Sequence, residues 1–382
     1  MALCNIGIKM KNPFTYSNIV TGPYFCNRKK EQEDLLEFIR SSQNVLLYSH
    51  RRTGKSSLIK QLFLNIKQQA PEIGTLYIDL YGTTSEKEFM SRIFQQLNVL
   101  ETNTDKLINL LKSSIDKFSF QIGIDPNTNS PTITPTFNSA DENLVLKNLM
   151  ELLEKFSAKR KIVIALDEFQ EVAKYTDADS FEKRLRSYVQ HHSNICYIFS
   201  GSQQHLLTVM FHSQGRAFYQ QAASYPLKQI ETKHYIPWMK QLFDEGNLSI
   251  EKANLIKIVD QFKNHPMYIQ LFCFFLWREL QHTPWKEEMI NGIERSMIDQ
   301  KHLEYQTLWD NLSINQKKTL KLILINDGQN LFAAQTLITV SIKTASVVTR
   351  CLKTLLEKEV LVKNGRYIIQ DLLFKKWLIL NT

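Results

Sequence analysis

The segment NVLLYSHRRTGKSSLIKQLFL, residues 44–64, constrains the fold more than any other stretch, because a short apolar strand, a tight loop and an amphipathic helix follow one another directly. Leu58, Ile59, Leu62, Phe63 and Ile66 recur at helical spacing after the triplet Gly54-Lys55-Ser56. A helix N-terminus presents unpaired backbone N–H groups and the positive end of a dipole, which together hold an anion. The loop residues Ser49, His50, Arg51, Arg52, Thr53 and Gly54, with Lys55, Ser56 and Ser57 at the helix start, are therefore the expected phosphate-binding loop. In such a loop Gly54 lets the backbone approach the phosphates, Lys55 reaches the β- and γ-phosphates, and the Ser56 hydroxyl sits on the Mg²⁺ that bridges them. Ser49 stands where the motif has glycine, and its Cβ is expected to make the first bend harder and nucleotide binding weaker.

A second motif makes a chance match to the first improbable. Lys161–Gln170, KIVIALDEFQ, has five apolar residues in a row, as a strand buried on both faces requires, and it ends in two carboxylates. Carboxylates at the C-terminal end of such a strand face the ligand crevice. Asp167 is expected to hold Mg²⁺ through water, and Glu168 to orient and deprotonate the water that attacks the γ-phosphate. The next apolar strand, 194–199, runs into Ser200-Gly201-Ser202-Gln203, which reads either as a polar contact to the γ-phosphate or water, or as a simple turn. No NKxD signature of guanine recognition occurs, and a carboxylate pair on a buried strand suits water attack, so the nucleotide is read as ATP.

The rest of the chain supplies the frame. Asn27 is the expected N-cap of a helix to Arg40, Thr75–Leu80 a second strand, 85–97 and 105–117 covering helices, and 119–137 a protruding hairpin. Ser139 and Glu142 have capping-box spacing before a Leu-rich helix, and a fifth strand is expected near 225–230. Alternating strands and helices predict a mainly parallel α/β sheet with the nucleotide at its carboxyl edge. From Glu231 the pattern is helical only, over 235–245, 249–262, 266–281 and 287–302. Ser313 and Gln316 then cap a helix to about Asn326, a short helix near 331–337 and a third over 343–358 follow, and a hairpin turns at Asn364-Gly365. Three helices followed by a hairpin is the order of a winged helix, whose third helix can enter a major groove. The expected domains are thus a P-loop core over 1–230, a helical lid over 231–303 and a winged helix over 304–382.

Composition limits partners and compartment. Of the net charge of +9, the segment 301–382 carries 12 Lys and Arg against 6 Asp and Glu. Lys343, Thr344, Ser346, Arg350 and Lys353 lie on or near the outer face of the third winged-helix helix, so DNA is one expected partner, with a protein partner or self-association the alternative. Five well-separated cysteines form no CxxC pair, which argues against zinc and disulfides and fits a reducing cytoplasm. The most apolar run, 268–277, is half of the roughly 20 residues a bilayer span needs, and no leader pattern is present, so no membrane is expected. His191-His192 is read as an exposed helix-end pair.

Taken together, Phe25-x-Asn27-Arg28-x-x-Glu31, SHRRTGKSSL with its paired Arg51-Arg52, LDEFQ and FSGSQ resemble the archaeal-type ATPase family of the AAA+ and STAND P-loop groups. The resemblance spans most of the chain, including the His265-Pro266 helix start and a terminal LFKKWL. It implies an additional-strand, catalytic-glutamate core of AAA+ type that binds ATP or ADP with Mg²⁺, a helical lid and a C-terminal winged helix. It also implies that Ser200 or Ser202 matches the first sensor and that Arg216 lies where such proteins place an arginine finger. Asn264 stands where a Gly-x-Pro lid turn would begin, which puts the lid geometry in doubt. Two functions follow: a hydrolysing ATP-dependent switch, or a DNA-binding regulator whose core senses nucleotide.

Overall fold

A strand apolar at every position needs cover on both faces, and Ile162–Asp167 is buried along its whole length. The computed structural model describes residues 10–100, 119–124, 131–136 and 142–381. Within them the strands are β1 Val45–Tyr48, β2 Gly74–Asp79, β3 Ser119–Ile124, β4 Pro131–Thr136, β5 Ile162–Asp167, β6 Ile195–Gly201, β7 Ala223–Pro226, β8 Leu361–Asn364 and β9 Arg366–Ile369. Two units divide the chain, one formed by Ser17–Ile230 and the other by Glu231–Thr382 together with the N-terminal residues up to Tyr16.

The first unit is built on a five-stranded sheet of order β2-β5-β6-β1-β7 with every pairing parallel. Strand β6 is inserted between the P-loop strand β1 and the acidic strand β5, which is the added strand of the expected class. The pleat sends alternate residues to opposite faces. Val163, Ala165, Cys196 and Ile198 pack with helices Lys29–Arg40 and Lys55–Gln69 on one side. Ile162, Ile164, Leu166, Tyr197 and Phe199 face helices Glu86–Gln96, Glu142–Ser157, Ala178–His191 and Gln204–His212 on the other. The register pairs Asp79 with Asp167, and Tyr48 with Gly201 and Pro226, so the ends of all five strands come to one edge.

Three local expectations change. The N-cap expected at Asn27 falls instead on Arg28, which is left-handed (φ 66°) and makes no side-chain cap, and the helix starts at Lys29. His192 is buried rather than exposed, because its Nδ1 lies 2.7 Å from the Tyr197 hydroxyl and burial pushes its imidazole below the usual range. Strands β3 and β4 pair antiparallel as a hairpin, but its turn, the helix expected over 105–117 and the Ser139 cap lie outside the described residues.

From Glu231 the second unit opens with five helices: Thr232–Glu245, Lys252–Gln261, Pro266–Leu280, Met289–Gln300 and His302–Asp310. The sequence reading did not anticipate the last of these. Where that reading starts its first domain at residue 1, Phe14 instead lies buried against Trp238, Phe243 and Trp277 of this unit. Asn264 takes the left-handed conformation (φ 58°) that asparagine tolerates, and its Nδ2 donates to Thr232 Oγ1 at 3.0 Å, so the turn before Pro266 forms without glycine. The winged helix consists of Ile314–Ile325, Ala334–Thr339 and Ala345–Glu357, the β8–β9 hairpin and a final helix Leu372–Asn381. Ser313 and Gln316 form the expected capping box.

Gly328 has φ +76°, and a Cβ there would stand 1.9 Å from the Tyr367 carbonyl oxygen on β9. Gly328→Ala is therefore expected to destabilise this unit by at least about 2 kcal/mol in denaturant unfolding; an unchanged midpoint would show that the wing is not anchored there.

Candidate functional site

The loop between β1 and the following helix bends through two left-handed residues, Arg52 (φ 63°) and Gly54 (φ 95°), and Gly54 occupies the N-cap without any side-chain cap. The first N–H groups of the helix are thereby left to a ligand, and its first turn carries no acidic residue that would compete. Ser49 is not among the left-handed residues, so its Cβ does not strain the first bend of the loop as expected. Its hydroxyl instead hydrogen-bonds to Thr53 Oγ1 and accepts from Lys55 Nζ at 3.3 Å, closing the neck of the loop. Lys55 also donates to the carbonyls of Ser49 and His50 at 3.2 and 3.3 Å, and Thr53 Oγ1 donates to His50 at 2.8 Å. Lys55, with only 5% of its surface exposed, thus donates to carbonyl and hydroxyl oxygens at the loop mouth, where a phosphate oxygen would be the stronger acceptor.

Across the inserted strand, Ser56 Oγ donates to Asp167 Oδ2 at 2.5 Å. The same oxygen accepts from the Tyr77 hydroxyl on β2 at 2.6 Å, and Oδ1 accepts from the Glu168 backbone at 3.1 Å. Burial, with the Asp167 carboxylate beside it, pushes the Tyr77 phenol up, so Tyr77 remains a donor. Glu168 has a left-handed backbone (φ 54°), and its Oε2 accepts from Ser202 Oγ at 3.0 Å and from Gln170 Nε2. One carboxylate and one hydroxyl converging at the mouth of this loop are oxygen donors of the kind that could hold Mg²⁺, with phosphate and water as further ligands. Among the described residues no cluster of three or more His, Cys, Asp or Glu competes as a metal site.

The other expected site residues divide. Of the two sensor candidates, Ser202 reaches Glu168, whereas the Ser200 hydroxyl is fully buried with no hydrogen-bond partner. Ser57 turns to the N-terminal segment, accepting the Val20 backbone N–H at 3.0 Å. Arg51 and Arg52 stand exposed on the loop. Arg216 binds Glu182, a fully buried carboxylate that burial pushes up to about 6 despite the guanidinium. Moving Arg216 away would leave that carboxylate buried and unpaired.

Two residues escaped the sequence reading. Tyr77 is legible only once β2 is aligned with β5, which sets it beside Ala165 and two positions before the paired aspartates. Arg28, 2% exposed, donates to the Lys228 carbonyl at 2.5 Å, to Glu31 at 2.6 Å and to the Thr53 carbonyl at 3.4 Å, tying the loop to the segment after β7. Its place in Phe25-x-Asn27-Arg28 was a signal without an assigned contact.

Residues 25–272 match the family described as an ATPase domain predominantly from Archaea, and 303–379 match a probable winged helix domain. No curated protein matches the chain. Among solved structures it is similar to the Walker-type ATPase PABY2304 of Pyrococcus abyssi, at 16% identity and a TM-score of 0.66 over 96% of this chain and 99% of that one. It is also similar to the ORC2 protein of Aeropyrum pernix in ADPNP–ADP complexes, at 15% identity and 0.59 over 97% and 96%. The ORC1 protein of the same organism in complex with DNA aligns at 12% identity and 0.50 over 94% and 93%. At these identities the likeness is one of fold.

Because Ser49 is unstrained, Ser49→Gly is expected to lower stability by about 1 kcal/mol through the lost hydroxyl bonds and added chain entropy, without tightening ATP binding. Denaturant unfolding and ATP titration check it, and tenfold tighter binding would show that the serine does strain the loop.

Proposed function

The chain belongs to the family of ATPase domains found predominantly in Archaea, and on that footing we propose that it binds Mg-ATP and hydrolyses it as a molecular switch. The observation that carries the reading is the 2.5 Å bond from Ser56 to Asp167, which brings the end of the phosphate loop to a carboxylate 111 residues away. Lys55 exchanges the carbonyls of Ser49 and His50 for phosphate oxygens, and the N–H groups after Gly54 bind the same anion. Bound Mg²⁺ would be held by Ser56 and Asp167 and would neutralise charge on the β- and γ-phosphate oxygens. Glu168 takes the proton of a water whose oxygen bonds to the γ-phosphorus, while the bond from that phosphorus to the ADP oxygen breaks and ADP leaves with the electron pair. Ser202 orients the Glu168 carboxylate.

The switch reading draws on chain connectivity. Phe14 is buried in the helical unit, and Val20 and Gly22 donate to Ser57 and Gln61 of the helix that follows the phosphate loop, the latter at 2.6 Å. A shift of that helix start on phosphate binding therefore pulls on a segment anchored in the other unit.

A second reading, DNA binding, is favoured by the exposure of Lys343, Thr344, Ser346, Arg350 and Lys353 around the third winged-helix helix. A fold relative solved with DNA is compatible with it.

Two outcomes test these readings. Glu168→Gln is expected to keep ATP affinity within about threefold while cutting turnover at least about 100-fold, and wild-type turnover in that variant would reject the water-activating role. Affinity for duplex DNA is expected to fall steeply with salt, and each of Arg350→Ala and Lys353→Ala to reduce the log–log slope by about one; a flat salt response would reject DNA as partner.

A further inference from the structure

Glu168, like Arg52 of the loop, is a strained member of the site. Its left-handed backbone (φ 54°) costs a non-glycine residue about 1 kcal/mol and persists only where surrounding contacts hold it. Its carboxylate is clasped at one oxygen, Oε2, by Ser202 Oγ at 3.0 Å and by Gln170 Nε2. A carboxylate only accepts hydrogen bonds, so the Gln170 amide has to present its N–H there, and its Oε1 is left buried with no partner.

That amide, on a residue 1% exposed, passes directly over Gly201 at the end of β6. A Cβ on Gly201 would stand 2.0 Å from Gln170 Oε1 and 2.9 Å from Leu207 Cδ1. Gly201 is not in the left-handed region, so what a side chain there would meet is the Gln170 amide, with Leu207 beside it, and the amide would have to move. The orphaned amide oxygen and the absent side chain are two separate costs, and one contact explains both: the arrangement delivers an N–H to Glu168.

We propose that Gln170 is the positioning residue for water activation by Glu168, clasping Oε2 with Ser202 so that Oε1 faces the water. This rests on the assignment of Glu168 above. With the Gln170 donor removed, the carboxylate retains one anchor and turns about it. Misplacement of a reacting group on the ångström scale costs about 10²-fold in rate without touching substrate affinity.

The test is single-turnover ATP hydrolysis and ATP binding for Gln170→Met, alone and combined with Glu168→Gln. Gln170→Met is expected to keep the ATP Kd within about twofold and lower the hydrolysis rate about 10- to 100-fold, yet to cost less than about twofold in the Glu168→Gln background, because it acts only through that carboxylate. An unchanged rate in the single variant, or the same fold-loss in both backgrounds, overturns the proposal, the latter marking a merely structural role. If Glu168→Gln alone hydrolyses like wild type, the assignment of Glu168 fails, and the proposal with it. Should Gln170→Met not fold, Gly201→Ala carries the same test, since its methyl displaces the amide: equal loss in both backgrounds overturns the proposal, and loss confined to the Glu168 background supports it.

Discussion

A hydroxyl and a carboxylate 2.5 Å apart, Ser56 and Asp167, come together only because three strands lie in one order and register. Strand β6 separates β1 from β5, so the loop leaving β1 has to cross the end of an intervening strand before it meets the acidic pair. The parallel register sets Tyr48 beside Gly201, and Leu166 beside Phe199, so the crossing is short and level. Burial of β5 and β6 on both faces fixes that register, since slipping a strand by one residue would exchange the faces holding Val163 and Ile164.

Much of this was legible in the sequence because the signals are local. A strand, a loop and a helix in succession mark the β1–helix joint, and an apolar run ending in Asp167-Glu168 marks the strand whose carboxylate meets it. The winged helix was legible through its Ser313 cap and Asn364-Gly365 turn. Contacts set by strand order were not: Tyr77 reaches Asp167 from β2, and Arg28 reaches Thr53 from the N-cap of a helix that begins one residue later than a cap at Asn27 would place it. His192 looked exposed because its partner Tyr197 lies on the far side of the loop into β6.

The glycine positions carry a physical lesson. Motif reading treats Ser49 and Asn264 as departures from glycine, but Ser49 needs no left-handed backbone and Asn264 adopts one, so neither substitution disturbs its turn. Gly201, by contrast, is not left-handed, yet a side chain there would run into the Gln170 amide. Glycine is constrained by what approaches it as well as by its dihedral angle.

If a triphosphate and its metal lodge between Lys55 and Asp167, as proposed, binding depends on both the metal and that carboxylate. Calorimetric titration of ATP into the wild type and into Asp167→Ala, each with Mg²⁺ and with a chelator, tests it most directly. One-to-one binding is expected, weakening at least about tenfold on chelation in the wild type and showing no such dependence in the variant. Wild-type binding indifferent to Mg²⁺, or no heat at all, would contradict it.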